Sequence, residues 1–211
     1  MKDQTLVAEK HKPRSRSDKK REAILAAAAD LFPTHGFVQT SMDQIASAAG
    51  VSKQTVYSHF GDKKGVFISA IRSKCIEDSL SEALFEQSIP VEELLLQLAN
   101  HLHRLLLSED TICLTRLCIS GAEQHPEVSE MFYQAGADNL NKLLINYLEK
   151  QAEAGILGID NSQFAAWHFL QMVNGDAPLR AKLGMEQCLN AEEMQQYLQS
   201  CVNAFLRAYK I

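Results

Sequence analysis

The chain has 211 residues, 46% of them hydrophobic and 22% charged, with a formal net charge of −5. That length supports one or two domains with a core that needs no disulfides, and the composition excludes a fully disordered chain. Residues 1–74 hold 13 Lys/Arg against 7 Asp/Glu and residues 75–211 hold 8 against 19, a basic front and an acidic back. This fits a nucleic-acid-binding head on a body that does not touch nucleic acid, although an uneven split alone decides little.

Residues 1–16 are polar and basic and read as a flexible arm, with Lys10, Lys12, Arg14 and Arg16 either touching nucleic acid or simply solvated. A first helix is predicted from about Asp18 to Thr34, with Ser17 as its N-cap and Ile24, Ala27, Ala28 and Leu31 on one buried face. Pro33 is expected to kink or end it, with Gly36 beyond. Ser41 and Gln44 form a capping box for a short second helix that buries Met42, Ile45, Ala46 and Ala49. Gly50 stops it, and Ser52 caps a third helix, KQTVYSHF, that can bury Val56 and Phe60 while Lys53, Gln54, Thr55 and Ser58 face outward. Gly61 ends that helix, and Asp62 caps a long fourth one with an apolar stripe of Phe67, Ile71, Cys75, Ile76, Leu80 and Leu84. Five more helices follow at about 90–107, 109–123, 127–153, 160–176 and 191–209, with Pro90 and Pro126 at helix starts and GILGID and GDAPLRAKLGMEQCLN as breaks. The expected class is all-α in two parts, 17–62 and 63–211, that share the fourth helix.

Residues 41–60 therefore read as helix, glycine turn, helix. A short second helix with small, polar and cationic residues at its front is what the major groove admits. Lys53 can donate to guanine, Gln54 can pair with adenine and Thr55 can meet a thymine methyl. Tyr57, His59 and Lys63 suit phosphate oxygens. A helical hairpin used only for packing is the alternative.

The stretch REAILAAAADLFPTHGFVQTSMDQIASAAGVSKQTVYSHFGDKKGVF resembles the N-terminal domain of the TetR (tetracycline repressor) family over about 47 residues. The resemblance is carried by Ala28, Leu31, Phe32, Gly36, Thr40, Ile45, Ala46, Ala49, Gly50, Val51, Ser52, Tyr57, Phe60 and Lys63. It implies a three-helix, helix-turn-helix DNA-binding domain followed by a helical effector-binding and dimerisation domain. It also implies a non-enzymatic regulator, usually a repressor, that binds a palindromic operator in double-stranded DNA as a homodimer and is released by a small molecule. By position, Thr40 opens the second helix at a phosphate, Lys53, Gln54 and Thr55 face bases, Tyr57 and His59 clamp the backbone, and Lys63 meets a phosphate. The helix caps Ser41 and Ser52 stand on the same DNA side. Three residues depart from the pattern. Pro33 replaces a helix former, Gln54 puts a longer reader where glycine is common, and Gly65 replaces an acidic residue, which is expected to loosen the start of the fourth helix. Farther on, LTRLCISGAEQHPEVSEMFYQAG resembles one branch of the family through Arg116, Pro126 and Glu127, with Gly121 departing from it.

The segment FAAWHFLQMV is apolar on nearly all sides and must be covered on two faces. The last helix carries Met194, Tyr197, Leu198, Cys201, Val202, Phe205, Leu206 and Tyr209, a stripe wider than one neighbour requires. Together they read as half of a four-helix dimer interface through Phe164, Trp167, His168, Gln171, Tyr197, Cys201 and Phe205, with plain core as the alternative. Phe132, Tyr133, Leu140, Leu102, Leu106 and Leu117 could line a cavity but read as core fill.

Other chemistry finds little support. His101 and His103 are two apart on a predicted helix and point about 200° apart, so no metal site is expected. No cofactor is expected either. Cys113 and Cys118 are either oxidant-sensing or buried and inert. The five cysteines (Cys75, Cys113, Cys118, Cys188, Cys201) have no C-x-x-C spacing and suit reduced thiols. With no 18-residue apolar run and no apolar leader core, the expected location is cytoplasmic, away from membranes.

Overall fold

The computed structural model describes residues 15–77 and 80–211, with the side chains of Ile76 and Glu77 outside that description. Lys10, Lys12 and Arg14 of the basic arm also lie outside it, whereas Arg16 already belongs to the first helix. Every regular element among the described residues is a helix, apart from a single bridge between Leu157 and Lys210.

Helix α1 (Arg16–Gln39) is capped by Ser15 and not by Ser17. The Ser15 hydroxyl accepts from the Asp18 N–H at 3.1 Å while the Asp18 carboxylate accepts from the Ser15 N–H at 3.0 Å. That reciprocal box satisfies two donors at once, an advantage Ser17 lacks. Pro33 stays inside the helix, and the break comes at Gly36, whose φ of 75° and ψ of 164° are open essentially to glycine alone. Helices α2 (Met42–Ala48) and α3 (Lys53–Phe60) follow with the expected caps. Helix α4 (Lys63–Glu77) ends sooner than its apolar stripe suggests, and Leu84 sits in a separate short helix, α5 (Glu82–Phe85).

Helices α6 (Val91–Leu106) and α7 (Glu109–Ser120) come next. The predicted long helix at 127–153 is α8 (Pro126–Tyr133) and α9 (Asn139–Glu153), joined by a π turn at Gln134–Asp138. Helices α10 (Ser162–Asn174) and α12 (Ala191–Tyr209) flank a short α11 (Ala177–Lys182) inside what reads in sequence as a break. Pro178 is tolerated in α11 because it lies in the first turn, where its missing N–H would be unpaired anyway.

Two apolar cores result. The first joins Ile24, Phe32, Ile45 and Val56 to Val66 and Phe67 of α4, and is completed by Cys118, Val128, Met131 and Ala135. Phe67 meets Phe32 at 5.0 Å and Phe37 at 5.1 Å between ring centroids, both near edge-to-face. The second core joins α6, α9, α10 and α12 through residues such as Leu98, Leu144, Phe169 and Phe205. Because α7, α8 and the π turn lend side chains to the first core, that core extends well beyond residue 62.

Candidate nucleic-acid interface and effector cavity

The turn between α2 and α3 is built from local contacts. Ser41 Oγ accepts from Gln44 N–H at 3.2 Å and Gln44 Oε1 accepts from Ser41 N–H at 2.7 Å. Ser52 Oγ accepts from Thr55 N–H at 3.2 Å. Val56 is fully buried and anchors α3, so its opposite face must point outward. Lys53, Gln54, Ser58 and Tyr57 are exposed there, with Ser41 and Ser52 exposed beside them. Thr55 and His59 are half-buried, and the Thr55 hydroxyl shares a 2.8 Å hydrogen bond with Ser52 Oγ. Phe60, expected in the core, is only half-buried, and the Arg21 guanidinium lies 5.3 Å from its ring centroid. That contact sets the basic start of α1, with exposed Arg16, Lys19, Lys20 and Arg21, beside the end of α3.

Thr40 and Gly65 depart from expectation, and Lys63 makes contacts that local spacing does not foretell. Thr40 is 1% exposed, and its hydroxyl donates to the Gly36 carbonyl at 2.8 Å. Its side chain fastens the turn out of α1 and does not reach the surface where a phosphate would lie. Lys63 donates from Nζ to Thr40 O at 2.9 Å and to Val38 O at 3.2 Å, and stands 4.6 Å from the Phe37 ring centroid. Burial pushes its ammonium pKa down. Gly65 tightens the start of α4, contrary to expectation: a β-carbon there would overlap the Phe60 carbonyl oxygen. Asp62 Oδ1 accepts from the Gly65 N–H at 2.8 Å and closes the corner.

Sequence reading missed Asp43. Its carboxylate takes the Lys53 ammonium at 2.9 Å across the turn and holds the lysine's pKa up. The signal was an acid in the first turn of one helix and a cation in the first turn of the next.

The expected dimer face divides in two. On α10, Phe164, Trp167, His168 and Gln171 form an exposed stripe, with the Phe164 and Trp167 rings 5.9 Å apart. The residues from α12 turn inward. Phe205 is fully buried edge-on to Phe169 at 5.3 Å, Cys201 is 5% exposed, and the Tyr197 hydroxyl donates to Met172 O at 2.5 Å. The wide stripe on α12 is explained by its two neighbours in the same chain, α6 and α10. His168 Nδ1 shares a 2.6 Å hydrogen bond with the Tyr209 hydroxyl of that helix.

A cavity of about 300 Å³ lies among α4, α6, α7, the π turn and α10. Leu102, Leu106, Phe132 and Leu140, read from sequence as core fill, line it, whereas Tyr133 and Leu117 do not. Gly136 in the π turn faces Ile71 of α4, close enough that a β-carbon would touch it at 3.7 Å. Such turns recur at functional sites because they free backbone from the regular ladder. Cys118 lies outside this cavity, and burial pushes its thiol up to about 11, which leaves little reactive thiolate. Among the described residues no helix is long and apolar enough to cross a membrane, and no three His, Cys, Asp or Glu side chains are placed to hold a metal ion.

Known proteins share this arrangement. Residues 24–70 match the N-terminal domain of the tetR family of bacterial regulatory proteins, and residues 93–211 match the C-terminal domain of AefR-like transcriptional repressors. A TetR-family transcriptional regulator from Mesorhizobium loti MAFF303099 is 30% identical, with the superposition covering 94% of this chain and 100% of that one at a TM-score of 0.72. The flavonoid-responsive regulator FrrA is also 30% identical, covering 91% and 97% at a TM-score of 0.67. The uncharacterised HTH-type transcriptional regulator YhgD of Bacillus subtilis (strain 168) is 28% identical over 140 residues, 65% of this chain and 69% of that protein. With one match over the helix-turn-helix and another over more than half of its length, the chain belongs to the TetR family of DNA-binding transcriptional regulators.

Proposed function

We propose that this protein is a homodimeric repressor whose grip on a palindromic operator is loosened by a small molecule in the cavity beside α4. Residues 17–62 read DNA, and residues 63–211 bind the effector and the second copy. Lys53 and Gln54 read base edges in the major groove, while Tyr57, Lys63 and the basic start of α1 hold phosphates. Pairing through the exposed α10 stripe at Phe164 and Trp167 sets two α3 helices about 34–36 Å apart, one turn of duplex.

The observation that carries this reading is the placement of α4. Its middle residues Ile71, Lys74 and Cys75 line the cavity, and its first residue, Lys63, grips the turn ahead of α2. At 1.5 Å per residue these cavity residues lie about 12–18 Å along the helix from Lys63. A ligand that moves Ile71 or the π turn against it moves the reading head, with a coupling of about 1–3 kcal/mol as the usual scale. FrrA is named for its response to flavonoids, and that likeness supports an effector with an apolar, ring-sized body.

Genomic footprinting with the purified chain tests this. A two-fold symmetric footprint with half-sites one helical turn apart is expected, together with a dimer in sedimentation that Trp167→Glu splits. Protection of a lone asymmetric half-site by a monomer would overturn the proposal.

A further inference from the structure

We propose that the effector is a compact, mainly apolar acid whose anionic group is held by Lys182; this rests on the cavity beside α4 being the effector site. The apolar part of the wall is mainly leucine, such as Leu102, Leu105 and Leu114, with Ile71 and Phe132 beside it. Three charged residues reach the cavity: Lys74, Asp110 and Lys182. Lys74 and Asp110 answer one another, Nζ to carboxylate, at 3.8 Å. Lys182 is half-buried and makes no ion pair or hydrogen bond with its ammonium among the described residues. The other polar groups of the lining, including Thr111, Thr115 and Asn174, are uncharged.

The lining therefore carries one unmatched positive charge beside a low-dielectric surface. A charge in such a place is stabilised by an ion that can reach it, and an ammonium is matched best by a carboxylate or phenolate oxygen. A cationic ligand would find Asp110 already engaged. A polyanion would find a single free cation and a carboxylate on the same wall. The cavity volume, at the small end of the range for ligand pockets, limits the apolar part to one or two rings or a short chain.

Lys182 is held in place from another helix. Arg116 of α7 donates from Nε to the Lys182 carbonyl at 2.8 Å and from a terminal nitrogen to the Ala181 carbonyl at 2.6 Å. The Ala181 carbonyl also accepts from the Gly184 N–H at 3.1 Å, and the guanidinium bridges it to the Lys182 carbonyl, so Arg116 pins the end of α11 against α7. Arg116 thus fixes the backbone from which the Lys182 side chain leaves.

The test is calorimetric titration of the full chain with benzoate, 2-naphthoate and octanoate, each paired with its neutral carboxamide. The best acid is expected to bind about ten- to a hundredfold more tightly than its amide, the scale of one charged hydrogen bond. Lys182→Met is expected to abolish that ratio while leaving amide binding unchanged, and Lys182→Arg to retain most of it. If acid and amide bind the wild type equally, or Lys182→Met leaves the acid's affinity intact, the assignment of the charge is overturned while the cavity stands as the effector site. If none of the six compounds binds, the effector reading of the cavity falls and this inference falls with it.

Discussion

Replacing Lys63 by methionine separates two roles that the structure places on one side chain. Methionine keeps most of the aliphatic stem and removes the ammonium that reaches Thr40 O at 2.9 Å, Val38 O at 3.2 Å and the Phe37 ring at 4.6 Å. A hydrogen bond from a charged group contributes about 1.5–3 kcal/mol and a cation over an aromatic ring about 0.5–1 kcal/mol. The site is partly open, so water replaces some of both, and the desolvation that lowers this ammonium's pKa is relieved by the substitution. A net loss of about 1–2 kcal/mol remains. For a chain of this length that lowers Tm by roughly 2–8 °C. Lys64→Met, at an exposed neighbour, is the control and should leave Tm unchanged. Lys63 is also proposed to meet a phosphate. In gel-shift titrations across salt, the slope of log K against log [salt] should therefore flatten by about one unit. Melts and titrations are run at one fixed protein concentration, because dimerisation shifts Tm by mass action. A Tm within about 1 °C of wild type would refute the tie between α4 and the turn, and an unchanged salt slope would remove Lys63 from the phosphate contacts.

Three further outcomes are expected. Gln54→Ala should relax base preference at one position per half-site by about 1–3 kcal/mol, read by in vitro selection; recovery of the parental consensus speaks against its base-reading role. Gly65→Ala must push α4 away from the Phe60 carbonyl, costing about 1–3 kcal/mol as overpacking does, and should weaken binding to every DNA by tilting α3; a wild-type denaturation midpoint contradicts the close approach. Burial holds the His103 imidazole below its ordinary 6.5, so the unfolded chain takes up that proton first as pH falls. Its stabilising contribution is complete above pH 6.5 and is lost as pH drops toward the folded value. His103→Gln should shrink the difference between urea midpoints at pH 7.5 and pH 5.5, and an undiminished difference assigns the acid sensitivity elsewhere.

Much of the reading head was legible because its determinants are local. The capping box at Ser41 and Gln44, the cap at Ser52 and the stops at Gly50 and Gly61 all act over three or four residues. The same spacing that buries Val56 turns Lys53 and Gln54 outward. Errors at this scale came from competition between neighbours. Ser15 displaced Ser17 because Asp18 completes its box, and Gly36 rather than Pro33 broke α1 because only glycine adopts that backbone.

Sequence alone, then, determined the helical class, the order of most helices, the exposed front of α3 and the resemblance to a family, since each depends on residues a turn or two apart. Tertiary structure alone decided which faces are spoken for. Thr40 is buried by the turn it fastens, and Tyr197, Cys201 and Phe205 face inward because α6 and α10 both pack on α12. Lys182 lines the cavity from a helix whose end is held by Arg116, 66 residues away. An apolar stripe or a lone cation records only what a side chain can bind. Which partner it meets depends on chain segments brought together by the whole core, and that is not written in local spacing.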